Sequence, residues 1–200
     1  MADLKAKLRN AEVKGKHLRN EGIIPGVLYG KHLSESLNIQ IYQKEVEQFL
    51  KEYSVGTKLN LVIDGKKSVV LLKGVTRTSG TSKLEHLSFQ ALTEGEKVTS
   101  VAQIVLLNAD KADGIVQHIL HEISYKALPA DITDKVEIDL EGMKINDSIS
   151  VGDLDFSKNE AIEILGSVDN IIVSIIPQKH LTTEATEVEP QEQADTQTDE

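Results

Sequence analysis

Three short stretches of the chain alternate apolar and polar residues one by one, and this period of two restricts the fold more than any other feature. LKAKLR sets Leu4, Ala6 and Leu8 against Lys5, Lys7 and Arg9; LNIQIY aligns Leu37, Ile39 and Ile41; KLNLVID aligns Leu59, Leu61 and Ile63. Successive side chains of a strand point to opposite faces, so each stretch reads as an antiparallel strand with one dry face. Between the second and third, QKEVEQFLKEY places Val46, Phe49, Leu50 and Tyr53 at i, i+3, i+4 and i+7. That spacing predicts an amphipathic helix ending near Gly56 and covering one mouth of the sheet. PGVLYG reads as a further strand, and KKSVVLLKGVTRT and LEHLSFQAL as two more, joined by the turn-rich SGTSK. So many strands within 92 residues imply a small barrel or a curled sheet.

The charge pattern divides the chain. Residues 1–92 hold 15 Lys and Arg against 9 Asp and Glu, whereas residues 93–200 hold 7 against 23. The sign changes at LTEGEK, residues 92–97, which is the expected boundary between an N-terminal domain over 1–92 and a C-terminal domain over 93–180. The second half is again rich in strand patterns: SVAQIVLLN, GIVQHILHEISYKAL, KVEIDLEG, DSISV, AIEIL and NIIVSIIP. A short helix is expected only near PADITDK. From His180 onward there is no Lys, Arg or aromatic residue but seven acids, so residues 181–200 are expected to be a disordered acidic tail. The fold class is therefore mainly β with short helices, an N-terminal small β-barrel followed by a C-terminal β-rich domain.

Enzymatic chemistry finds few players in this sequence. With no Cys there is no disulfide, thiolate metal site or thiol nucleophile. GVLYGKH falls short of a phosphate loop, because three residues rather than four separate Gly26 from Gly30 and His32 stands where Ser or Thr should follow the Lys. His118 and His121, on one continuous strand, would point to opposite faces and have no third ligand near them. The expectation is no enzyme, no metal and no cofactor. MADLKAKLRN lacks the apolar core of a signal peptide and no run is long enough to span a bilayer, so a cytoplasmic protein is expected.

The net charge of -10 conceals a basic opening: seven of the 15 cations of the first half lie in residues 5–31. Lys14, Lys16 and Arg19, with Arg9 on the strand before them, could neutralise several phosphates, and KHLRNEG could form a helical turn beside them. Pro25 forces an extended start to PGVLYG, and Tyr29 on the sheet surface could stack on a base or donate to a sugar.

KHLRNEGIIPGVLYGK resembles the RRLRxEGxxPAVxYG signature of the bacterial large-subunit ribosomal proteins that bind 5S rRNA, in the two-domain form also called general stress protein Ctc. LEHLSFQAL is similar to that family's His-x-Asp-Phe strand; YKALPADITDKVEIDLEGMKINDSISVGDL and NIIVSIIP are similar to its C-terminal domain. The resemblance implies an N-terminal barrel lying in the widened minor groove of an irregular 5S rRNA loop, and a C-terminal domain directed at other ribosomal proteins. It places Lys16, Arg19, Tyr29 and His86 at RNA-contact positions, to which charge and location add Arg9, Lys14 and Arg77. Thr76 and Ser88 occupy positions where the family usually has Gln and Asp. AEVKG replaces the family's Gly-Lys-Gly lead, and TRTSGTSK lacks the Pro of its turn. Two functions follow: a structural rRNA-binding protein of the large subunit, or a diverged stress-associated adaptor acting on proteins through its acidic domain.

Overall fold

The computed structural model of the protein describes residues 2–10, 12–159 and 161–177; the expected acidic tail lies outside them. Six strands close a barrel: β1 (Ala2–Leu8), β2 (Ile23–Tyr29), β3 (Leu37–Tyr42), β4 (Lys58–Ile63), β5 (Lys66–Arg77) and β6 (Leu84–Ala91), in the order β1-β3-β2-β6-β5-β4. The alternating stretches do become strands. Two of the barrel's pairings, β1 with β4 and β2 with β6, are parallel rather than antiparallel. The first of them closes the barrel through five residue pairs, from Ala2 opposite Leu59 to Ala6 opposite Ile63.

The inward residues Leu4, Ile24, Leu28, Ile39, Ile41, Leu59, Leu61, Val70, Leu72, Leu87 and Phe89 form one core. Leu8 and Leu37, which alternation alone would bury, are exposed. They stand at the ends of their strands, beyond the packed interior. Helix α2 (Gln43–Glu52) lays Val46 and Phe49 onto the core, with Phe49 stacked on Tyr53 at 4.8 Å. Its apolar spacing therefore serves the purpose expected of it. A shorter helix, α1 (Gly15–Asn20), buries Leu18 and packs on β2.

Beyond residues 92–97 the strands form two further sheets around a second core. One has the order β10-β7-β9-β12, from β7 (Val98–Leu107), β9 (Glu122–Ala127), β10 (Lys135–Asp139) and β12 (Glu163–Ile164). The other has the order β11-β13-β8, from β8 (Ile115–His118), β11 (Ser148–Ser150) and β13 (Ile171–Ile176). Ile104, Ile123, Tyr125, Ile138, Leu140, Ile172 and Val173 fill the space between them.

Two expectations need correction here. GIVQHILHEISYKAL is not one strand: it breaks over 119–121, where the amides of Ile119 and Leu120 donate to the Ile172 carbonyl, and its two parts enter different sheets. The break also overturns the divergent histidines, since the His118 and His121 rings lie 4.1 Å apart, tilted by 30°. The second correction is that PADITDK holds turns and no helix. A buried tyrosine fixes that segment: Tyr125 Oη donates to the Thr133 carbonyl at 2.6 Å and accepts from the Thr133 amide at 2.9 Å. Short 3-10 turns occur instead at Ala109–Lys111, Val151–Asp153 and Asp155–Lys158.

The barrel and the second set of sheets meet at the loop after α2. Gly56, with φ of +94°, lies against β7 so closely that a Cβ there would fall 1.9 Å from the Val101 carbonyl oxygen. Around it, Ser100 Oγ donates to the Gly56 carbonyl, Thr57 Oγ1 to Asp134, Lys58 Nζ to the Pro129 carbonyl and Lys73 Nζ to the Thr99 carbonyl.

Candidate nucleic-acid interface

The outer surface of β3, β2, β6 and β5 is a small grid whose addresses follow from register. Asn38 is opposite Val27, Val27 beside Ser88, and Ser88 opposite Gly74, making one row across the four strands. Two residues along each strand in one direction, Gln40 is opposite Pro25 and His86 opposite Thr76. Two residues the other way on β2 and β6, Tyr29 lies beside Gln90, which is opposite the buried Leu71, three residues from Gly74 across a bulge in β5. Rows of this kind are about 7 Å apart and neighbouring strands about 5 Å apart, a spacing on the scale of nucleotides.

The cations border this grid. Arg19, on α1, reaches over to donate from Nη1 to the Glu85 carbonyl at 3.4 Å, beside His86. Arg9 follows β1, its amide donating to the Asn38 carbonyl at 2.9 Å and its Nη2 to the Val13 carbonyl at 2.8 Å. Among the described residues, Arg9 Nε is buried without a partner. Both guanidinium groups act on His86: burial chiefly, then Arg9 and Arg19, hold its imidazole below the ordinary value of 6.5. Burial likewise raises the Tyr29 phenol above 10.0, so at neutral pH both side chains are uncharged hydrogen-bonding groups.

Sequence-selected residues thus converge in part. Tyr29, Thr76, His86 and Ser88 share the outer face through register, with Arg9 and Arg19 at its margin. Lys14 occupies the N-cap of α1 and Lys16 its first turn, both exposed. Arg77 stands apart at the end of β5, where Nη1 donates to the Ser82 carbonyl at 3.1 Å within the following turn. Asn38, Gln40 and Gln90 also belong to the face, although no motif singles them out. Alternation in LNIQIY and LEHLSFQAL already puts them on the wet side of their strands; cross-strand register is what joins them to Tyr29 and Ser88.

The edge of the face toward the second half is tied down. His32 Nδ1 and Thr93 Oγ1 are 3.0 Å apart, and Lys31 pairs with Glu96. Chemically the assembly is an open sheet surface carrying hydroxyls, carboxamides, an imidazole and a phenol, with cations around it. Such a surface suits a shallow groove displaying 2′-hydroxyls and phosphates rather than a small molecule held in a pocket.

The class of protein that carries this barrel and its polar sheet face is given by sequence comparison. The Ribosomal L25p family matches residues 4–89, and the family described as Ribosomal protein TL5, C-terminal domain, matches residues 97–179. The chain is 33% identical to the large ribosomal subunit protein bL25 of Dictyoglomus thermophilum over 96% of its own length and 97% of that protein. It is 31% identical to bL25 of Dictyoglomus turgidum, covering 98% of the chain and 99% of the relative, and 32% identical to bL25 of Geobacillus thermodenitrificans, covering 81% and 77%. The chain belongs to the bL25 family of bacterial large-subunit ribosomal proteins. It is accordingly a structural component of a ribonucleoprotein and not an enzyme. No helix among the described residues is long and apolar enough to cross a membrane.

Proposed function

We propose that the chain binds 5S rRNA within the large subunit of the cytoplasmic ribosome, using the outer face of β3-β2-β6-β5 as the reading surface and α1 as a phosphate clamp. The observation that carries this reading is the gathering of Tyr29, His86 and Ser88 on one face, with Arg19 bonded to the carbonyl beside His86 and Arg9 bordering the same face. An A-form minor groove is wide and shallow, so a sheet can approach its 2′-hydroxyls while flanking cations neutralise backbone charge. Lys14 and Lys16 extend that neutralisation along the border, with Arg77 set apart from it at the end of β5. The two family matches fall on either side of residues 90–96, and the two cores are distinct; both support separate domains over 1–92 and 93–180. The acidic second domain suits neighbouring proteins better than RNA. A free-standing stress adaptor is not favoured, given near-full-length similarity to ribosomal proteins.

The test is a gel shift on 5S rRNA across a salt series, with a regular duplex of equal length as competitor. Wild type should prefer 5S rRNA. Changing Lys16 and Arg19 together to Ala should weaken binding and reduce the salt slope by about two phosphate equivalents. No preference for 5S rRNA, together with absence from salt-washed large subunits, would refute the proposal and revive the adaptor reading.

A further inference from the structure

Strand β1 changes partners partway along the barrel. Ala2 to Ala6 pair with β4, whereas Lys7 and Leu8 pair with β3, so the register between β1 and β3 ends before Lys5 would meet Tyr42. The seam opens there into a cleft of about 260 Å³, on the β1 side of β3. Its size suits one flat group, since pockets for drug-sized molecules run from about 300 to 1,000 Å³. Ala6, Ile23 and Val62 give it apolar surface. The Tyr42 ring also lines it and is 53% exposed, with Lys7 Nζ 5.8 Å from its centroid.

The charges around the cleft are not spent on one another. Lys5 and Lys7 stand on the outer face of β1, two residues and so about 7 Å apart. Asp3, on the same face, is held elsewhere, accepting from Asn60 at 2.7 Å and from Lys67 at 2.9 Å. Glu45, in the first turn of α2, and Asp64, in the turn after β4, also line the cleft. Among the described residues, neither lysine and neither carboxylate forms an ion pair. Free charges of both signs beside an aromatic ring match a ligand that is flat, anionic at one end and hydrogen-donating at the other. A nucleotide has that pattern: a base to stack, phosphates for the lysines and, in cytosine or adenine, an exocyclic amino group for a carboxylate. Only an unpaired base can offer its face in this way, so the occupant is single-stranded.

We propose that this cleft is a second RNA site, taking an unpaired, amino-bearing nucleotide from a single-stranded segment distinct from the RNA on the reading face. Tyr42 stacks the base, Lys5 and Lys7 hold the flanking phosphates, and Glu45 and Asp64 accept from the amino group. β1 and β4 are the two barrel strands outside the β3-β2-β6-β5 face. A helix docked on that face and a strand entering the cleft therefore approach from different sides. The site stands on its own residues and does not depend on 5S rRNA being the ligand of the reading face.

The full chain is titrated with labelled hexacytidylate and hexauridylate, with CMP and hexaglutamate as competitors. Wild type should bind hexacytidylate about tenfold more tightly than hexauridylate, whose bases carry a carbonyl where cytosine carries an amino group. Tyr42→Ala should weaken hexacytidylate binding about tenfold, and Tyr42→Phe, which keeps the ring, should leave it unchanged. Changing Lys5 and Lys7 together to Ala should reduce the salt slope by about two phosphate equivalents; both are exposed, and this pair decides the matter should Tyr42→Ala not fold. The Lys16 and Arg19 double variant should bind hexacytidylate as wild type does. Equal affinity for the two oligonucleotides, or no loss in the Tyr42 and lysine variants, would overturn the site. So would competition by CMP at the affinity of hexacytidylate, which would assign the cleft to a free nucleotide, or by hexaglutamate, which would leave charge alone as the cause. Binding of 5S rRNA, measured alongside, should not change in the cleft variants. A parallel loss would merge the cleft with the reading face and overturn a second site, whereas absence of 5S binding in wild type would refute only the reading above.

Discussion

His86 shows how one residue links the local field to stability. Half-buried beside two guanidinium groups, it resists protonation in the folded chain, whereas in the unfolded chain it takes a proton near 6.5. A depressed imidazole is neutral for stability above 6.5 and subtracts stability as pH falls from there to its folded value. The expected outcome is a melting temperature that declines as pH falls below 6.5, with His86→Gln flattening that decline. Identical pH profiles for wild type and variant would contradict the assignment. His118, depressed chiefly by burial and then by His121, erodes stability in the same direction, so the difference between the two proteins is the quantity to read. At this scale the sequence was informative for residues whose type declares their chemistry: Arg9, Arg19, Tyr29 and His86 could be chosen from charge, aromaticity and resemblance. Asn38, Gln40 and Gln90 could not, because an amide on a wet strand face looks like any solvated residue until register assigns its neighbours.

The elements of the barrel were legible because period-two alternation is itself the physical cause of a half-buried strand. The pairing was not: β1 with β4 and β2 with β6 run parallel, and no local pattern distinguishes that from an antiparallel partner. Patterning also failed where tertiary contacts broke a continuous apolar run, as at 119–121 between the two sheets, and where Tyr125 held PADITDK in turns despite its helix-like punctuation. Helix α2 was read from its spacing, and its contribution can be measured. Phe49 is 8% exposed and packs on the barrel core. Phe49→Ala should cost about 3–5 kcal/mol by the usual loss of burial plus cavity, read by urea unfolding, whereas exposed Gln48→Ala on the same helix should change stability by less than about 0.5 kcal/mol. Equal effects would show that α2 is not seated on the barrel.

In the whole molecule the barrel carries the proposed reading face and meets an acidic β-rich half at the loop after α2 and along one edge of that face. Charge reversal at residues 92–97 was visible in the sequence; the joint at Gly56 was not, since a lone glycine after a helix reads as a terminator. Its backbone has the left-handed φ that glycine tolerates and it leaves no room for a methyl group against Val101. Gly56→Ala should therefore lower the melting temperature by several degrees and alter the small-angle scattering of the intact chain, while the barrel keeps its affinity for 5S rRNA; an unchanged melting temperature and scattering curve would mean that the joint is not held at this contact. The central claim concerns which surface meets RNA, and the absence of native Cys makes it directly measurable. Single-cysteine variants Ser88→Cys, on the reading face, and Gln48→Cys, on α2, each carrying a short photo-crosslinker, are irradiated with 5S rRNA at moderate salt. The account predicts crosslinks from position 88 and none above background from position 48; crosslinking from 48 with silence at 88 would contradict it.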